Sequence, residues 1–159
     1  MIFFFGNAKK LIEAAAESGA DCVKFQTFKA ENLNTLNAPK SQYHIDTTGE
    51  DKDQSWYDLL KSQEISLDMH KQLIAYCKKK EIIFLSTPYD KESADLLESL
   101  DIPAYKIASP ELNHLPLLEK IAKTKKPIIF STGLSNYKEI KKTYNFLKSK
   151  GAKKIVILK

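Results

Sequence analysis

Two lysines stand inside apolar runs of this chain, Lys24 within Cys22–Phe25 and Lys106 between Tyr105 and Ile107. An ammonium group in such a setting is costly unless it snorkels to a strand end or meets a partner. A bound anion accounts best for both, with a structural ion pair as the alternative. Short hydroxyl side chains recur in the same pattern, at Thr87, Ser109 and Ser131, with Ser86 and Thr132 beside two of them. Singly, such residues cap helices or close turns. Gathered on one rim, they would offer a phosphate several hydrogen bonds. Gln26 follows Lys24 by two residues, so the pair points to one side of a strand. Glu111 stands in the same relation to Ser109. The plain alternatives are a core hydrogen bond for Gln26 and a solvated loop acid for Glu111. His44, His70 and His114 lack metal-ligand spacing. Cys22 and Cys77 read as buried apolar residues rather than a disulfide framework, which fits a reducing, cytoplasmic setting.

The elements that must position these residues alternate regularly. Apolar runs at Cys22–Phe25, Ile82–Leu85, Ala104–Ala108, Pro127–Phe130 and Ile155–Leu158 are short and do not alternate, as strands buried on both faces do. Met1–Phe5 is a weaker sixth candidate. Between the runs lie amphipathic helical stretches. Ala8–Ser18 would bury Leu11, Ile12, Ala15 and Ala16 and stop at Gly19. Ser66 would cap a helix to about Lys80 with Leu67, Leu73, Ile74 and Cys77 inside. Further helices start at Asp90 or Ser93, cover Leu115–Ala122, and start again at Ser135 with Ile140, Tyr144 and Leu147. The stretch Lys29–Ser62 is too long for a plain connection, and Trp56 and Tyr57 would anchor a short helix in it.

Repeated strand–helix order implies a parallel sheet with helical crossovers. A doubly wound sheet and a (β/α)8 barrel both fit. The strand ends favour the barrel, because Ser86, Ser109 and Ser131 recur 23 and 22 residues apart and bring polar groups to carboxyl ends. No glycine-rich dinucleotide fingerprint follows any strand. A whole barrel takes about 250 residues. The expectation is therefore an α/β fold, a partial, truncated (β/α)8 barrel with parallel strands and outer helices, with residues 1–159 as one incomplete domain.

Composition narrows the function classes. The chain has 159 residues, 28% charged and 43% hydrophobic, which excludes collagen, low-complexity disorder and a disulfide-stapled miniprotein. Its longest apolar run, Met1–Phe5, is too short for a membrane span or a signal-peptide core. The net charge is +5, carried by lysines interleaved with acids and by no arginine. Without arginine there is no planar fork to read guanine, so nucleic acid is not the expected partner.

Four motifs carry a resemblance. Gly19-Ala20-Asp21-Cys22-Val23-Lys24-Phe25-Gln26-Thr27-Phe28 resembles the second-strand motif of the sialic acid synthase family. Phe84-Leu85-Ser86-Thr87-Pro88-Tyr89-Asp90, Ile102-Pro103-Ala104-Tyr105-Lys106-Ile107-Ala108-Ser109 and Lys126-Pro127-Ile128-Ile129-Phe130-Ser131-Thr132-Gly133 continue it in the family's order and spacing. The resemblance covers about Asn7 to Leu158.

It implies a (β/α)8 barrel followed by an antifreeze-like domain. The implied reaction condenses phosphoenolpyruvate with an N-acetylated amino sugar, such as N-acetylmannosamine, giving a nonulosonic acid and phosphate. The implied cofactor is Mn2+ or Mg2+, a Lewis acid for the sugar aldehyde. By the same resemblance Lys24, Thr87, Lys106, Ser109 and Ser131 hold phosphoenolpyruvate, Gln26 and Glu111 contact the sugar, and the Lys29–Ser62 loop covers the substrate.

There are departures. The first-strand glutamate has no counterpart in Met1–Asn7, Pro110 stands where the family often has glycine, and the two metal-binding histidines and the antifreeze-like domain fall beyond Lys159. The expectation is a truncated member with no metal ligands of its own, inactive or nearly so alone. Other phosphoenolpyruvate–aldose condensing synthases, or a non-catalytic phosphate-binding remnant, are the alternatives. A homodimer or a complementing chain stays open as partner, and the choice among N-acetylneuraminate, legionaminate and pseudaminate is not made by these residues.

Overall fold

A computed structural model describes residues 2–40, 42, 45–46 and 55–159. The elements run α1 (Ile2–Glu17), β1 (Cys22–Thr27), α2 (Ala30–Leu33), α3 (Trp56–Gln63), α4 (Leu67–Lys79), β2 (Ile83–Pro88), α5 (Lys91–Ser99), β3 (Tyr105–Ile107), a 3-10 turn (Ser109–Asn113), α6 (Leu115–Lys123), β4 (Ile128–Ser131), α7 (Tyr137–Ser149) and β5 (Ile155–Leu158).

Every strand pairing among the described residues is parallel, as the helical crossovers require. The ladders form two sheets, β1-β2 and β3-β4-β5, rather than one continuous sheet. Strands β2 and β3 lie side by side, with no ladder between them among the described residues.

Register sorts the side chains onto two faces, because paired residues in a parallel ladder share a face. Val23, Phe25 and Thr27 pair with Phe84, Ser86 and Pro88, while Tyr105 and Ile107 pair with Ile128 and Phe130. This face is covered by helices, and Tyr105, Ile107, Ile128 and Phe130 are buried there. Tyr105 also donates its hydroxyl to the Ala94 carbonyl of α5 at 3.1 Å. The other face carries Cys22, Lys24 and Gln26, then Leu85 and Thr87, then Lys106, then Ile129 and Ser131. Burial on both faces holds for β2 but not for β1 or β5, where Lys24 and Gln26 are exposed and Val156 is 51% exposed.

Local chemistry sets the helix starts. Ser66 accepts the Met69 N–H and Asp90 the Ser93 N–H, so each caps the helix that follows. The last helix starts one residue later than expected. Asn136, not Ser135, accepts the Glu139 N–H, and Glu139 returns the bond to the Asn136 N–H, closing a capping box. Asn136→Ala is expected to cost about 1 kcal/mol in a urea unfolding midpoint.

Other expectations also change. Ile2–Phe5 opens α1 and is not a strand. The run meets the amphipathic stretch with only Gly6 and Asn7 between, and helix growth is cooperative. Leu11 is 62% exposed. It lies about 100° round the helix from Ile12, which is the buried residue of the pair. Leu67, in the first turn of α4, is exposed, and so is Cys22, on the open face of β1; only Cys77 is a buried cysteine. Trp56 and Tyr57 do open a helix within the Lys29–Ser62 stretch, as expected. His44 lies outside the described residues.

Candidate functional site

The open face gathers its polar groups towards the carboxyl ends of the strands. Lys106 is half-buried on β3, and its Nζ donates to the Ile107 carbonyl at 2.9 Å and to Ser131 Oγ, at the end of β4, at 2.7 Å. Burial, and then the charge of Lys24, hold the Lys106 ammonium below the usual lysine range. The two cations thus act on each other across the same face.

Ser131 accepts from Lys106, so its own O–H is left to donate, and Lys106 keeps one N–H unspent. Ser109 opens the 3-10 turn after β3 and lies against Gly133, where φ is +52°; a Cβ on that glycine would fall on the Ser109 hydroxyl and 2.6 Å from its Cβ. Ser109 therefore abuts the turn that leaves β4 after Ser131. Thr87 is buried opposite Gln26 in the β1–β2 ladder, beneath the rim.

Gln26 and Glu111 converge on a residue that sequence reasoning did not single out. Gln26 Nε2 donates to the Tyr89 hydroxyl at 2.7 Å. Burial pushes the Tyr89 phenol up, and the Glu111 carboxylate is near enough to raise it further. Glu111 is not a free solvated acid, because its Oε2 accepts from His114 Nδ1 at 2.7 Å and its side chain is 14% exposed. A cleft of about 410 Å³ opens beside β1, bounded by Lys24, Gln26, Phe28, Gln63 and Ile65.

Ser86 leaves the candidate set. It faces the helix side, where its Oγ lies 2.7 Å from Thr27 Oγ1, itself 2.8 Å from His70 Nε2. His70 is therefore a core residue of α4. One signal for a missed residue was present in the motifs: Gly133 follows a strand where the turn has positive φ.

Similarity to known proteins gives the family. Residues 11–159 match the NeuB family. The chain is 50% identical over 147 residues to the N,N'-diacetyllegionaminic acid synthase of Campylobacter jejuni subsp. jejuni serotype O:2, covering 92% of this chain and 43% of that enzyme. Its structure superimposes on an N-acetylneuraminic acid (sialic acid) synthetase from Leptospira borgpetersenii serovar Hardjo-bovis, solved in complex with citrate, with a TM-score of 0.77 at 25% identity, over 96% of this chain and 48% of that one. The spore coat polysaccharide biosynthesis protein SpsE of Bacillus subtilis gives a TM-score of 0.74 at 38% identity, over 96% of this chain and 39% of that one. The fold is thus the α/β, parallel-stranded type shared with these synthases, and the chain belongs to the NeuB family. It spans about two-fifths of the length of the curated relatives it matches.

Proposed function

We propose that this chain forms one wall of the (β/α)8 barrel of a nonulosonic acid synthase, and that its open face holds phosphoenolpyruvate. The observation that carries this reading is the half-buried Lys106 ammonium, hydrogen-bonded to a serine whose O–H is left to donate and subject to the charge of Lys24. An anion between the amines relieves the repulsion and accepts the unspent donors. Lys24, Lys106, Thr87, Ser109 and Ser131 would take the phosphate and carboxylate, and Gln26 and Glu111 the N-acetylated amino sugar.

In the condensation this implies, carbon 3 of phosphoenolpyruvate attacks the aldehyde carbon of the open-chain sugar, water adds at carbon 2, and phosphate leaves. The part played by these residues is orientation and charge compensation. Among the described residues no three His, Cys, Asp or Glu side chains gather to hold a metal ion. Both cysteines are free, which goes with a cytoplasmic setting, and no helix among the described residues is long and apolar enough to cross a membrane.

Thermal unfolding with added phosphoenolpyruvate tests the reading. A ligand at a hundredfold excess over its Kd should stabilise the chain by about 2.7 kcal/mol. Salt should shrink the effect, because the attraction is ionic. Lys106→Ala should abolish it, and Lys148→Ala, on the exposed side of α7, should leave it intact. Equal stabilisation of the wild type and Lys106→Ala would overturn the assignment.

A further inference from the structure

Tyr89 is held from three sides at the rim. Its N–H donates to the Thr27 carbonyl at 3.2 Å, its ring packs edge-on against Phe28 with centroids 6.2 Å apart, and its hydroxyl accepts from Gln26 Nε2. The next residue fixes the same turn. Asp90 is buried, caps α5 through Ser93, and accepts the Lys29 N–H at 3.2 Å, so the ends of β1 and β2 are tied together at Tyr89. The phenol is thus a preorganised group on a rigid support.

Its hydrogen-bonding capacity is only half used. A phenol can donate once and accept as well. The Gln26 amide spends the accepting side, and among the described residues nothing receives the Tyr89 O–H. That same bond fixes the Gln26 amide, so its carbonyl oxygen is the free end. Glu111 lies within electrostatic reach of the phenol, and its carboxylate is already paired with His114. A hydroxyl donor, an amide carbonyl and a carboxylate on one rim suit an uncharged, oxygen-rich ligand. They do not suit an anion, which the amide oxygen and Glu111 would repel. The anion belongs at Lys24 and Lys106.

We propose that Tyr89 is a binding residue for the acceptor sugar, donating its O–H to a hydroxyl or acetamido oxygen held between Gln26 and Glu111. The proposal rests on the synthase reading above, and adds to it the residue that sets Gln26 and itself touches the sugar. Phenylalanine at this position would keep the Phe28 contact and the fold but lose both the donor and the lock on Gln26.

The test uses the full chain, titrated separately with N-acetylmannosamine and phosphoenolpyruvate, with two-dimensional NMR reading the shifts. Tyr89→Phe should bind the sugar about tenfold more weakly, the loss of one well-placed hydrogen bond. Its phosphoenolpyruvate affinity should stay at the wild-type value. The Tyr89 ring resonances, assigned by their absence in Tyr89→Phe, should shift with sugar. Wild-type sugar affinity in Tyr89→Phe, with Gln26→Ala weakened, would overturn the role of Tyr89 and leave the synthase reading standing. A chain that binds neither ligand would overturn both.

Discussion

Gly133→Ala should destabilise the chain by about 3 kcal/mol and displace Ser109 from the rim. Two separate costs add here. The residue sits at φ +52°, in the left-handed region, where a side chain costs roughly 1–2 kcal/mol. The new methyl also meets the Ser109 Cβ at 2.6 Å, and a Cβ is not the yielding end of a flexible side chain. Overpacking of this kind adds about 1–3 kcal/mol. Gly19, at φ +76° with open space around it, separates the two costs. Gly19→Ala should show the backbone term alone, roughly 1–2 kcal/mol. Pairing Gly133→Ala with Ser109→Gly should recover only the steric part, because the backbone term remains. The measurement is the urea midpoint of each variant, with phosphoenolpyruvate stabilisation as second readout. Equal costs at Gly133 and Gly19 would mean that Ser109 yields freely and is not fixed by this contact.

This close approach explains why some of the site could be read from residue order and some could not. Lys24, Lys106 and Ser131 announce themselves, since a cation or hydroxyl inside or ending an apolar strand is a local anomaly. The β3–β4 register and a hydrogen bond bring Lys106 and Ser131 together, and the charge of Lys24 reaches Lys106 from the neighbouring ladder. Tyr89 carries no such anomaly, because a tyrosine after a strand is common, and its importance comes from Gln26, 63 residues away. Ser86 misleads in the opposite way. It has the same residue type and neighbourhood as Thr87, and only strand parity sends it to the helix side. The strands and most helices followed from periodicity. Burial of β1 and Cys22 did not, because a run of apolar residues does not say which face another element will cover. Likewise the periodicity of the strands does not mark the break between the β1-β2 and β3-β4-β5 ladders.

The helix side of the same rim contains a buried titratable group, and its pH response should be measurable. His70 is fully buried on α4. Its Nδ1 lies 2.9 Å from the Ser66 carbonyl, which can only accept, so the proton sits on Nδ1. Nε2 then accepts from Thr27 Oγ1 at 2.8 Å, and Thr27 in turn accepts from Ser86 at 2.7 Å. This chain needs a neutral imidazole: a proton on Nε2 would face the Thr27 hydroxyl and reverse every bond. Burial accordingly holds the His70 pKa below its ordinary value of 6.5, and the charge of Lys29 lowers it further.

The sign follows from linkage. Below pH 6.5 the unfolded chain takes up a proton that the folded chain refuses, so the unfolded state is favoured. The contribution of neutral His70 is present above pH 6.5 and is lost as pH falls from there towards the folded pKa, by at most about 1.4 kcal/mol per pH unit. Carboxylates lowered by their partners, such as Glu13 and Glu119, lose their contribution only below about pH 4.5, outside this window. His70→Leu should cost about 1–3 kcal/mol at pH 7.5, since it leaves the buried Thr27 O–H without an acceptor, while the Ser66 carbonyl keeps the backbone N–H of residue 70. Its urea midpoint should fall less steeply than that of the wild type between pH 6.5 and 5. Parallel pH profiles for the two proteins would show that His70 takes up its proton in the folded state as readily as in the unfolded one, and that the Ser86–Thr27–His70 chain does not fix the end of β1.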